Sequence, residues 1–279
     1  MDHIRAAIEQ ARKERMAVKA KANEPEKPEK LDGKRMAEQG NVVLERAWQA
    51  LPAFTVKPKR LVRNRIMTYE ANAEATPFDV ARTNLLHEMR SKSWRRVAIT
   101  SPSSKCGKTT MCLNLAFSLA RQLDIRVMVV ELDLRRPSIG RLLRVPNSTS
   151  FADVLGAKAK VQDSIQRIGP NLAFALANGP VRSPAELLQS VVAGRVMDAI
   201  EERYKPDVMI FDMPPMLIAD DTMAFIDQVD CALLVAAAEA TTMAEITRCK
   251  QELDSRTNLM GVVLNKCRYL DGTEAYGSY

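Results

Sequence analysis

The segment Ser101–Pro102–Ser103–Ser104–Lys105–Cys106–Gly107–Lys108–Thr109–Thr110 places a glycine, a lysine and two hydroxyls between an apolar run and a helical pattern. Free backbone N–H groups at a helix start attract anions, and a neighbouring lysine adds a full positive charge. Ser103, Ser104, Lys105, Cys106, Gly107, Lys108, Thr109 and Thr110 are therefore candidates to cradle a nucleotide's phosphates. Lys108 would reach the β- and γ-phosphates and the Thr109 hydroxyl would hold Mg²⁺. The segment ends as a G-x-x-x-x-G-K-[ST] phosphate loop does, but Pro102 stands at the first glycine position. Two acidic segments also follow apolar runs: Glu131 and Asp133 within Val130–Pro137, and Asp212 before Met213–Pro214–Pro215. A parallel sheet gathers the C-terminal ends of its strands at one edge, where ligands bind. Asp212 is then expected near the Mg²⁺ shell, with Asp133 and Glu131 beside the γ-phosphate.

The elements that must position these groups alternate. Thr76–Pro77 reads as a helix start, with the helix running to about Arg90. Short apolar strands are predicted at Arg96–Thr100, Arg126–Glu131, Asp207–Asp212, Cys231–Ala236 and Met260–Asn265, and helices at Lys108–Leu123, Pro184–Tyr204, Asp221–Gln228 and Thr241–Leu253. Strand cores this apolar are buried on both faces, so the pattern predicts an α/β fold: a mostly parallel central sheet with helices on both faces, as in P-loop NTPases.

The formal charge of +7 is concentrated. Residues 1–65 hold 16 Lys/Arg against 9 Asp/Glu, whereas residues 66–279 hold 25 of each. The body thus has no basic excess of the kind that binds a duplex, and no sequence-specific nucleic acid is expected. The N-terminal quarter reads as an extension: an amphipathic helix over Asp2–Lys21, an extended Glu24–Lys30 linker, and a basic cluster Lys57–Arg65. The expected organisation is this extension (1–65), a nucleotide-binding domain (66–268) and a mobile tail (269–279). Apolar runs are strand-sized, so no membrane span is expected, nor does the N-terminus read as a signal peptide. Five cysteines without C-x-x-C spacing read as reduced and intracellular, and with two histidines no zinc cluster is expected. Cys112, Cys231 and Cys267 read as core or near-core residues, and Cys106 as a small side chain in a tight loop.

From about Val80 onward the sequence resembles the bacterial tyrosine kinases of capsule and exopolysaccharide synthesis, deviant P-loop ATPases related to MinD and ParA. Thr100–Ser101 with Gly107–Lys108–Thr109 resembles their Walker A motif, Asp133–Leu134–Arg135–Arg136–Pro137 their Walker A′, and Asp212–Met213–Pro214–Pro215 their Walker B. Arg82–Thr83–Asn84, Ser183–Leu188 and Val263–Leu264–Asn265 resemble further family segments. The resemblance implies ATP and Mg²⁺ as cofactors and phosphoryl transfer to C-terminal tyrosines of a neighbouring subunit. Tyr269, Tyr276 and Tyr279, three of only five tyrosines, are the implied acceptors. Lys108 and the loop amides would stabilise the transferring phosphoryl group, Thr109 with Asp212 and Asp133 would serve the metal, and Asp133 or Glu131 would orient or deprotonate the tyrosine hydroxyl. Arg135 would contact phosphate or organise its loop, and Asn265 would lie near the adenine. The implied partners are a membrane-embedded polysaccharide chain-length regulator, here a separate chain, and further copies of this chain. The implied location is cytoplasmic, peripheral at the inner face of the membrane through that partner.

The sequence departs from the family at Ser104–Lys105–Cys106, where proline, glycine and glutamate are usual, and at Glu131, where aspartate is usual. Of an acidic residue and two arginines used in oligomer contacts, the matching positions are Thr76, Asp79 and Arg82. Two other functions stay open at this point. One is a nucleotide-binding, non-catalytic regulator of the same machinery. The other is a MinD- or ParA-like switch, whose signature lysine would stand at Ser103.

Overall fold

Strand residues that alternate between two apolar faces demand helices on both, and the computed structural model shows that arrangement. It describes residues 42–146 and 149–267. The chain divides into two compact units, Met1–Val43 and Leu44–Tyr279, and the second carries everything below. The described elements are helices α1 (residues 42–49), α2 (Pro58–Arg63) and α3 (Thr76–Ser91), strand β1 (Arg96–Thr100), α4 (Lys108–Ala120), β2 (Val127–Glu131), α5 (Ile139–Leu143), α6 (Phe151–Leu155) and α7 (Val161–Ser164). There follow β3 (Ile165–Ile168), β4 (Leu172–Ala175), α8 (Pro184–Leu188), α9 (Val191–Tyr204), β5 (Val208–Asp212), α10 (Asp221–Phe225), β6 (Cys231–Ala237), α11 (Met243–Asp254) and β7 (Asn258–Asn265).

The seven strands form one sheet in the order β3-β4-β2-β5-β1-β6-β7, parallel except for β3 at one edge. Alternate residues feed two cores. Ala98, Val130, Phe211 and Leu234 face the side covered by Val196, Met197 and Ile200 of α9. Val97, Val129, Ile210 and Val235 face the side covered by Leu85 and Met89 of α3 and Leu115 and Leu119 of α4.

The strands β3 and β4 were not anticipated; each has four residues, too short for a periodicity signal to stand out. The long helix expected over Pro184–Tyr204 breaks after Leu188, because Ser190 turns extended and its hydroxyl caps the Ala193 N–H. The Asp221–Gln228 helix likewise gives way to a 3₁₀ turn at Ile226. Cys267, expected in or near the core, is exposed, since the chain has already left β7; the other four cysteines are buried and all five are free. The segments 1–41 and 268–279, where the amphipathic helix, the Glu24–Lys30 linker and the three acceptor tyrosines were expected, lie outside the described residues.

The boundary expected at residue 65 is displaced toward the N-terminus. Trp48, Leu51, Phe54 and Leu61 are buried in the two cores. The Trp48 indole donates to the Tyr204 carbonyl at 2.7 Å, and its ring meets the Tyr204 ring edge to face. Asn114 of α4, fully buried, accepts from the Met67 N–H and donates to the Arg65 carbonyl. The Trp48 contacts dock the chain before β1 onto the end of α9, and the Asn114 bonds dock it onto the helix that starts at Lys108. Trp48→Ala is expected to cost about 3–5 kcal/mol of stability in urea unfolding. A chain beginning at residue 66 should lose its cooperative transition, while one beginning at residue 44 should keep it.

Candidate functional site

Strand register builds the site. Parallel pairing sets Ile99 of β1 and Glu131 of β2 both opposite Asp212 of β5, so three strand ends finish at one level. The N–H groups of Leu132 and Asp133 then donate to the Asp212 carbonyl, which carries the pairing past the strand and brings Asp133 alongside. The Thr100 and Thr222 hydroxyls each donate to the Pro214 carbonyl at 2.8 Å and fix the turn that follows Asp212. Thr222 was not singled out from sequence, and Thr100 only as part of the Walker A resemblance; the role of both depends on a carbonyl brought to them by the sheet.

Between β1 and α4 the loop turns back toward the helix start. Lys105 and Gly107 both have positive φ (66° and 97°), and the Lys105 side chain is exposed. A Cβ at Gly107 would lie 2.1 Å from the Asn265 side-chain nitrogen, so the glycine is required by space as well as by φ. Asn265, at the end of β7, donates to the Cys106 carbonyl at 2.8 Å and ties the edge strand to the loop. Cys106 is buried, with its Sγ near the Ser103 and Thr241 hydroxyls. Burial raises its pKa, but those hydrogen bonds outweigh it and leave the thiol below its ordinary value.

Lys108 projects from the first turn of α4 and pairs with Asp133 Oδ2 at 2.7 Å. Burial opposes its charge, but Asp212 and Asp133 more than offset this and hold the ammonium pKa above its usual value. The Thr109 hydroxyl donates to Asp212 Oδ2 at 2.8 Å. Burial pushes the fully enclosed Asp212 carboxyl up to about 6 against the pull of Lys108 and Thr109. Its other oxygen, Oδ1, is buried with no hydrogen-bond partner. Buried carboxylate oxygens are rarely left so, and an unsatisfied one beside a threonine hydroxyl fits a Mg²⁺ whose remaining ligands are phosphate and water. The described residues contain no group of three or more His, Cys, Asp or Glu able to hold a metal alone. The donor set therefore suits a cation delivered with a nucleotide.

Glu131 and Arg135 are engaged elsewhere. Glu131 Oε1 accepts from the Ser138 N–H and from the Ile139 N–H (2.7 Å), and Oε2 from the Ala177 N–H at 3.3 Å. The extra methylene relative to aspartate carries its carboxyl to the start of α5 and the end of β4, where it anchors the loop after β2. Its place was expected beside the γ-phosphate; in the structure three backbone N–H groups hold its carboxyl. Arg135 forks onto the buried Asp221 carboxylate, at 2.6 and 2.9 Å, which ties the Walker A′ loop to α10. Arg82 is turned inward too, its Nη1 near Asp79 and the Ser118 carbonyl; Asp79 also takes Arg121 at 2.8 Å.

Glu131 makes stability depend on pH. Burial pushes its carboxyl up to about 7, against the hydrogen bonds from Ile139 and Ser138. The folded state therefore keeps a proton that the unfolded chain releases from about pH 4.5 upward. Glu131's contribution to stability should be full below that value and be lost as pH rises through about 7, by at most about 1.4 kcal/mol per unit. Asp212 contributes in the same direction up to about 6, so urea titrations of Glu131→Gln should show a reduced slope, not a flat line. Glu131→Ala should cost about 1–3 kcal/mol for each buried N–H left without an acceptor.

Comparison with known proteins agrees with this geometry. Residues 97–275 match the family model described as the CobQ/CobB/MinD/ParA nucleotide binding domain. The chain is 28% identical over 223 residues to "Tyrosine-protein kinase YwqD" of Bacillus subtilis (strain 168), covering 79% of this chain and 92% of that protein. It is 28% identical over 217 residues to "Tyrosine-protein kinase wzc" of Salmonella typhi, covering 74% of this chain but only 30% of that longer protein. The solved kinase domain of Escherichia coli tyrosine kinase ETK superposes with a TM-score of 0.66 at 26% identity, over 75% of this chain and 82% of that one. A strand-loop-helix phosphate site, acidic ends on the two neighbouring strands and a family match over most of the chain lead to one conclusion: the chain belongs to the CobQ/CobB/MinD/ParA nucleotide-binding domain family.

Proposed function

We propose that this chain is an ATP-dependent protein-tyrosine kinase of capsule or exopolysaccharide synthesis, and that it phosphorylates Tyr269, Tyr276 and Tyr279 on a neighbouring copy. The observation that carries the reading is the paired arrangement of Lys108 with Asp133 and Thr109 with Asp212, beside an unsatisfied Asp212 oxygen. Its likeness to proteins named tyrosine kinases supplies the reaction class.

The chain's own groups divide the work. The N–H groups from Ser104 to Thr110 and the Lys108 ammonium hold the phosphates; Asn265 keeps the loop carbonyl at Cys106 turned away from them. Thr109 and Asp212 would hold Mg²⁺, which would neutralise charge on the transferring phosphoryl group. Phosphate competes with Asp133 for Lys108, and transfer of the ammonium uncovers the Asp133 carboxylate to take the proton from the tyrosine hydroxyl. Glu131 holds the loop that carries Asp133, so it is a positioning residue. Phosphoryl transfer needs chiefly placement and charge stabilisation, which this set supplies.

In this reading the chain works as a homo-oligomer docked to a membrane-embedded chain-length regulator supplied by another polypeptide, at the cytoplasmic face. No helix among the described residues is long and apolar enough to cross a membrane.

Intact-mass and tandem mass spectrometry after incubation with Mg·ATP provide the test. Phosphate is expected on Tyr269, Tyr276 and Tyr279, absent in Lys108→Met and reduced about 10²-fold or more in Asp133→Asn. Glu131→Gln should retain most of it. Binding of ATP without phosphotyrosine, alone and with the membrane partner, would replace the kinase with a nucleotide-binding regulator.

A further inference from the structure

A concave site opens beside the Walker A′ segment, on the side of the β2 end away from the phosphate loop's own strand. It has a volume of about 750 Å³ and is walled by the chain after β2, by α5 and its C-cap, and by the loop after β4. Its lining includes Arg60, Arg135, Arg136, Arg141 and Arg144 and not one aspartate or glutamate. In a body whose charges otherwise balance, that density of one sign focuses a positive potential into a cleft.

Two of the five guanidinium groups are already committed, and they fix the walls. Arg60 donates from Nε to the Leu142 carbonyl at 2.8 Å and from Nη2 to the Arg141 carbonyl, and Asn64 donates to the Leu142 carbonyl beside it. These bonds satisfy the C-terminal carbonyls of α5 and hold α2 against it. Arg135 is neutralised by Asp221. The side chains of Arg136, Arg141 and Arg144 have no acidic partner among the described residues and all three are exposed. Like charges so placed repel one another, and nothing in the fold requires it; an anion relieves it.

We propose that this cleft binds a small ligand carrying adjacent phosphoryl groups, a diphosphate, without a metal ion. Guanidinium forks match phosphoryl oxygens bidentately, and three unpaired ones suit the charge of a diphosphate. The volume is that of a small-molecule pocket. The phosphate loop differs in kind: carboxylates stand beside its lysine and serve a cation, whereas here none does. The inference does not depend on the kinase reading.

The test is calorimetric titration of sodium pyrophosphate, in EDTA and low salt, into the full chain, the double variant Arg141→Glu/Arg144→Glu, and Lys108→Met. Both altered arginines are exposed, and circular dichroism melts check that the double variant stays folded. Binding should weaken about tenfold or more in the double variant and persist within about threefold in Lys108→Met. It should also fall with added salt. The proposal is overturned if pyrophosphate does not bind, if the double variant binds as the parent does, or if Lys108→Met abolishes binding.

Discussion

One half-buried ammonium stands between two carboxylates, and the site is arranged around it. Lys108 neutralises Asp133 directly and acts on Asp212 through space, while both acids lie in a sheet edge that excludes water. Removing one partner from such a group leaves uncompensated buried charge, at a cost of about 3–5 kcal/mol. The surrounding structure can be understood as what keeps this arrangement in place: parallel register sets the acids at one level, Asn265 and Gly107 shape the loop, and Asn114 secures the helix carrying the lysine.

The same arrangement leaves Asp212 Oδ1 without a partner, which a folded protein seldom tolerates except where a ligand completes the shell. Glu131 shows the opposite economy. Its carboxylate is as buried as Asp212, but three backbone N–H groups satisfy it. Two acids facing each other in one register thus have different tasks, and hydrogen-bond satisfaction separates them where residue type does not.

Much of the molecule was legible from the chain. Apolar strand cores such as Val127–Glu131 and Cys231–Ala237 announce themselves because they are buried on both faces, and Gly107–Lys108–Thr109 with Asp133 and Asp212 could be placed at strand ends by pattern alone. What escaped were features set by distant contacts. The four-residue strand Leu172–Ala175 exists because β2 offers it an edge, and Ile165–Ile168 because Leu172–Ala175 in turn offers one. Trp48 belongs to the core because Tyr204 receives its indole, 156 residues away.

The sequence by itself determined the fold class and the identity of the candidate phosphate-binding and acidic groups, since both rest on local periodicity and on spacing within a few residues. Only the tertiary structure decided what each group does. It separated a satisfied Glu131 from an unsatisfied Asp212, turned Arg135 onto Asp221, and gathered Arg60 with Arg141 and Arg144 around one cleft. Those outcomes depend on hydrogen bonds and charges between residues tens of positions apart, and no local pattern in the chain encodes such distances.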